Sequence, residues 1–140
     1  MDKVIYTAAA TAVGGRESNG KTSDGIINMD LKTPVEMGGP GGGSNPEQLF
    51  AAGYSACFNS ALNHLARLQR IRLGETQITI SIDLYQTESG GFKLGAHIDA
   101  LVPGVDKETA EKLAHEAHNF CPYSLATKGN IDVEIKVRTE

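Results

Sequence analysis

Apolar and polar residues alternate along ITISIDLYQ (78–86) and again along FKLGAHIDALV (92–102). A period of two marks half-buried strands, and the intervening ESGG supplies a turn, so the pair is expected to form an antiparallel hairpin. IDVEIKVR (131–138) has the same alternation and sets Ile131, Val133, Ile135 and Val137 on one face. Two further strands are expected near the N-terminus, KVIYTAAATA (3–12) and GIINMDLK (25–32), joined by the polar turn region GGRESNGKTSD. The pattern changes at SNPEQLF. Asn45 suits a helix N-cap, Pro46 the first helical position, and Glu47 the first turn, where a carboxylate meets the positive end of the dipole. From there LFAAGYSACFNSALNHLARLQR is apolar or small on most faces, which predicts a buried helix running to about Arg70. A second helix is expected over KETAEKLAHEAHNF, capped by Asp106, with Ala110, Leu113, Ala114 and Ala117 inward. Pro122 should stop it near Phe120 and bias Cys121 to an extended conformation. The order of strands, helix, strands, helix and strand defines an α+β fold with antiparallel sheets wrapped on two central helices. The chain is long enough for one domain, 1–140.

Composition narrows the partners. Hydrophobic residues make up 40% and charged residues 21% of the chain, as in ordinary globular proteins. Thirteen Lys and Arg against 17 Asp and Glu leave a net charge of −4, and no basic run offsets it, so neither nucleic acid nor an anionic membrane is an expected partner. MDKVIYTAAATAVGG lacks the charged start and continuous apolar core of a signal peptide, and no segment approaches a membrane span. A cytoplasmic protein is expected. The run PVEMGGPGGGSNPEQ is too short and too internal for a linker and reads as a functional loop.

A reducing compartment turns attention to the two cysteines. Cys57 and Cys121 form no CxxC unit, and two cysteines cannot complete a zinc site unaided. Cys57 lies among small residues in GYSACFNSAL, where a thiol is either core filler or a nucleophile. As a nucleophile it must ionise, and it lies too deep in its helix for much help from the dipole. A cation would have to come from elsewhere, and Arg16 in the glycine-flanked GGRESNG is the candidate. Cys121, at a helix end before proline, has the freedom a resolving thiol needs, or it too is filler. Glu47 and Cys57 share a helix, but the rise between them is roughly 15 Å, so Glu47 can help a thiol only across two such helices packed antiparallel in a dimer. Otherwise it is a first-turn partner of the dipole. His115 and His118 in HEAH do not make an HExxH metal motif, His64 and His97 have no local partners, and the glycine-rich loop lacks the GK[ST] ending of a phosphate loop. No metal is expected. Met37, Phe50, Phe58, Phe120 and Tyr123 lie near these motifs and could line an apolar pocket or simply pack the core.

Taken together, YTAAATAVGGR, SDG (23–25), NPEQLFAAGYSACF, HNFCPYS and ATKGNIDV resemble the organic hydroperoxide resistance (Ohr) proteins of the Ohr/OsmC family. The resemblance runs in order from about Tyr6 to Val137, departing at Ser44 and in the ESN after Arg16. It implies an intertwined homodimer with sites at its interface and a thiol peroxidase without metal, haem or other bound cofactor. Cys57 matches the peroxidatic cysteine, Cys121 the resolving one, Arg16 the arginine that supports the thiolate, and Glu47 the glutamate that holds the arginine. The implied substrates are alkyl and lipid-derived hydroperoxides, and the implied reductant is a dihydrolipoyl group on a lipoylated protein. Two other readings compete. Acyl transfer through Cys57 would need a histidine base, and none is persuasively placed. A non-enzymatic redox sensor or apolar-ligand binder could use the same cysteines, but no DNA-binding helix or output surface accompanies them.

Overall fold

A computed structural model describes residues 1–140. The chain divides into two compact units, Met1–Leu49 and Phe50–Glu140. In the first, β1 (Ala10–Val13), β2 (Asn19–Thr22) and β3 (Asn28–Asp30) form an antiparallel sheet in that order. The long strand expected over 3–12 is therefore cut to its last residues. Met1 to Ala9 are exposed and belong to no strand, because β2 is only long enough to cover Ala10 to Val13. The strand expected over 25–32 shortens in the same way. β2 itself falls inside the segment expected to be turn. Its NGKT sequence carries turn residues, yet Gly20 is buried and pairs with both Ala12 and Met29. A Cβ on Gly20 would lie 3.2 Å from the Met29 methyl and 3.3 Å from Leu31, so the missing side chain lets both cover the sheet.

The glycine-rich loop folds back on the segment that precedes it. The Gly41 N–H donates to Thr33 O at 3.0 Å, Ser44 N–H to Asp30 O at 2.8 Å, and Lys32 N–H to Ser44 O at 2.9 Å. These bonds deliver the chain to Asn45, whose Oδ1 accepts the Gln48 N–H at 2.9 Å and caps α1 (Pro46–Leu68) as expected.

In the second unit α1 buries Tyr54, Phe58, Ala61, Leu62 and Ala66, a helical stripe. The stripe joins one core with Ile80 of β4 (Gln77–Gln86), Ile98 and Ala100 of β5 (Phe92–Leu101), and Leu113, Ala114 and Ala117 of α2 (Lys107–His118). β4 and β5 are the expected hairpin. Asp106 caps α2 by accepting the Thr109 N–H at 2.8 Å. Pro122 ends one helix and begins another, α3 (Pro122–Thr127), because proline loses nothing at a first helical position. Cys121, extended at φ −60° and ψ 125°, is the joint between them. β6 (Val133–Arg138) then pairs with β5 in parallel, not antiparallel as expected, since α2 and α3 carry the chain back across the sheet. The architecture is α+β, with two three-stranded sheets and three α-helices instead of two. No helix is long and apolar enough to cross a membrane.

Candidate functional site

Four of the candidate residues come together as two pairs, one in each unit. In the first unit, Gly14 and Gly15 adopt φ 73° and 67°, left-handed conformations that side chains resist. They turn the chain so that Arg16 faces the start of α1. Its Nη1 donates to Glu47 Oε2 at 2.9 Å and its Nη2 to Oε1 at 2.6 Å, a fork-on-fork pair. The turn is tethered from behind, where Leu31 N–H donates to Ser18 O at 2.8 Å and Thr33 N–H to the Glu17 carboxylate at 3.3 Å. The Arg16 hydrogen bonds hold the Glu47 carboxyl below its ordinary range, against the upward pull of burial. Glu47 in turn pushes the guanidinium up, so Arg16 stays charged at any relevant pH.

Beside Arg16 lies a cavity of about 440 Å³ whose other walls include Ile27, Met29, Leu31 and Leu49. Sequence reasoning missed these four, because they come from β3, its flanks and the first turn of α1. All they share in the sequence is apolar character, which does not set them apart from core residues.

In the second unit, Cys57 on α1 and Cys121 at the N-cap of α3 are both free, and their sulfurs lie 3.4 Å apart. Cys57 is half-buried and Cys121 is wholly buried. Burial pushes the Cys57 thiol up, and the adjoining Cys121 sulfur adds to the rise. The nearby Tyr123 backbone N–H opposes it. Two thiols at this separation need to close by only about 1.4 Å to reach a disulfide bond of roughly 2.05 Å.

The apolar candidates divide between the two units, Met37 in the first and the other four in the second. Phe50 and Tyr123 meet at 6.1 Å between ring centroids, each also 5.8 Å from Tyr54. Phe58 has no exposed surface to offer a ligand and belongs to the core, since it repeats the Tyr54 face one turn on. Phe120 is half exposed and stacks on His64 at 5.3 Å, and Met37 is exposed on a 3-10 turn of the first unit. His97, expected to stand alone, has partners on both neighbouring strands: Asp83 at 2.6 Å and Glu134 at 2.9 Å.

A paired thiol, a forked arginine and this α+β frame define a class, and the defining sequence pattern of the OsmC-like proteins matches residues 39–136. An organic hydroperoxide resistance protein of Xanthomonas axonopodis pv. citri is 48% identical over 136 residues, spanning 96% of this chain and 95% of that protein. The crystal structure of an organic hydroperoxide resistance protein from Legionella pneumophila superposes with a TM-score of 0.95 at 47% identity, covering 98% of this chain and all of that one. That of OhrB from Bacillus subtilis gives a TM-score of 0.88 at 42% identity, covering 96% of this chain and all of OhrB. This chain belongs to the OsmC-like family, in its organic hydroperoxide resistance (Ohr) branch.

Proposed function

We propose that this chain is a thiol-dependent peroxidase that reduces organic hydroperoxides to alcohols and so protects a cell from them. The observation that carries the reading is the Cys57–Cys121 pair, two free thiols 3.4 Å apart with unequal exposure. The half-buried Cys57 is the one a peroxide can reach. Its thiolate attacks the distal peroxide oxygen, the O–O bond breaks, and the departing alkoxide takes a proton to become the alcohol, leaving Cys57 as a sulfenic acid. Cys121 then attacks the Cys57 sulfur, the hydroxyl leaves as water, and a disulfide forms. An external dithiol, in our reading a dihydrolipoyl group of a lipoylated protein, returns both sulfurs to thiols. No metal, haem or other bound cofactor takes part.

Burial works against Cys57 ionisation, so the cycle needs a cation at the thiol. In our reading Arg16 supplies it, in a cytoplasmic homodimer whose sites lie at the interface. Glu47 holds the guanidinium fork, leaving its remaining N–H donors for the peroxide oxygens. The apolar walls beside Arg16 accept the organic tail, which favours bulky hydroperoxides over hydrogen peroxide. The test is steady-state turnover of a bulky alkyl hydroperoxide against hydrogen peroxide, with dihydrolipoamide, thioredoxin and glutathione compared as reductants. The alkyl hydroperoxide with dihydrolipoamide should be the fastest combination, and Cys57→Ser should abolish it. Peroxide consumption that survives Cys57→Ser would overturn the assignment.

A further inference from the structure

α3 is only six residues long, yet it begins at the Cys121 joint, whose sulfur lies 3.4 Å from that of Cys57. Such a helix has no stability of its own and must be held by what it packs against. Its hold on α1 is a buried hydroxyl cluster. The Tyr54 Oη lies 2.8 Å from Ser124 Oγ and 3.3 Å from Thr127 Oγ1, and the Thr127 hydroxyl donates to the Ser124 carbonyl at 3.0 Å. Tyr54 and Ser124 have no solvent exposure and Thr127 has 5%. Tyr54 stands one helical turn before Cys57, while Ser124 stands one turn after Cys121. The hydroxyl cluster and the dithiol are thus adjacent rungs between the same two helices. The rings reinforce it, for a Cβ on Gly53 would come within 3.0 Å of the Tyr123 hydroxyl.

We propose that Tyr54, acting through Ser124 and Thr127, is a positioning residue that holds Cys121 within striking distance of Cys57 and so sets how fast the disulfide closes. The proposal rests on the dithiol cycle above and names what governs its second step. That step competes with a loss. A Cys57 sulfenic acid that meets a second hydroperoxide before Cys121 arrives takes its oxygen, releasing another alcohol and leaving an irreversible sulfinic acid. In apolar surroundings three hydroxyls that satisfy one another admit few alternative arrangements, because any shift of α3 along α1 leaves a buried polar group unpaired. The cluster therefore fixes the register of α3. A core of apolar side chains of the same size would tolerate sliding.

The closing step can be followed without peroxide, using an aryl disulfide reagent that releases a coloured thiolate. Cys57 attacks the reagent, releasing one aryl thiolate and leaving a mixed disulfide. Cys121 then loses its proton to solvent, attacks the Cys57 sulfur and expels the second aryl thiolate. Tyr54→Phe keeps the ring and removes the hydroxyl. The second release should slow about tenfold, the equivalent of one buried hydrogen bond, while the first is unchanged. Ser124→Ala should do the same, and the double variant should be no slower than either single one, since the pair acts as a unit. Under hydroperoxide, intact-mass measurement should find more sulfinic acid in both single variants than in the parent. If Tyr54→Phe does not fold, Ser124→Ala decides alone. Second-release rates within about twofold of the parent, or equal slowing of both releases, would overturn the proposal. A parent that closes its disulfide here yet consumes no hydroperoxide would instead refute the peroxidase reading and leave the positioning role standing.

Discussion

Replacing Glu47 with glutamine removes one charge and little volume, so its effect isolates the fork with Arg16. Two ion-pair bonds of 2.6 and 2.9 Å become at best one bond from the guanidinium to an uncharged amide oxygen, because an amide NH2 cannot accept from a guanidinium. The side chains are 33% and 17% exposed, so the pair lies between a surface ion pair and a buried one. Surface pairs contribute up to about 1 kcal/mol after solvent screening, and a carboxylate in the first turn of a helix adds about 0.3–1 kcal/mol. A loss of about 1–2 kcal/mol at neutral pH is therefore expected on the same grounds. The sign with pH follows from the Arg16 bonds, which lower the Glu47 pKa in the folded chain. Its contribution is complete above the ordinary glutamate pKa of about 4.3 and is lost as pH falls through the lower folded value. Urea unfolding of parent and Glu47→Gln across that range should show two curves apart at pH 7 that converge in acid. Curves that coincide at pH 7, or that stay equally separated in acid, would refute the argument. Hydroperoxide turnover should fall in the same variant, since Arg16 loses its anchor.

Cys121→Ser should permit a single turnover, after which Cys57 accumulates as sulfenic and then sulfinic acid, visible as added oxygen in intact-mass spectra. A variant that cycles at the parent rate would remove Cys121 from the mechanism. Mixing Glu47→Ala and Cys57→Ser chains tests whether sites form across a dimer. Heterodimers should hold one intact site and one with both defects, and should regain activity that neither parent variant has. No recovery on mixing would refute a site that joins Glu47 of one chain to Cys57 of the other.

What was legible in the sequence depended on how local the signal was. The start of α1 was visible in Asn45, Pro46 and Glu47 alone, and the hairpin in two runs of strict alternation. Asp106 and four inward residues sufficed for α2. α3 is not legible because Pro122 signals the end of α2 and the start of a new helix equally well, being a good first helical position. The strand expected over KVIYTAAATA (3–12) shortens because apolar residues alone do not say whether a neighbouring strand exists, and turn residues hide β2. The two site pairs were assembled from a resemblance, because sequence spacing cannot show that Arg16 forks onto Glu47 or that Cys121 reaches Cys57. The Tyr54 cluster left no trace at all. Three ordinary hydroxyl residues, two of them far from the first, become notable only when burial takes water away from them.

The placement of Cys121 at the joint between α2 and α3 has a topological consequence. The residues that separate the two cysteines, which are 64 positions apart, include both hairpin strands and all of α2. Joining the sulfurs would turn that stretch into a covalent ring. In chain-entropy terms a ring of this size disfavours the unfolded state by about 4 kcal/mol. A molecule waiting for its reductant would thus resist unraveling, whereas one whose Cys57 has gone on to sulfinic acid could never close the ring. Spent copies would then lack this protection permanently, whereas active copies lack it only while reduced.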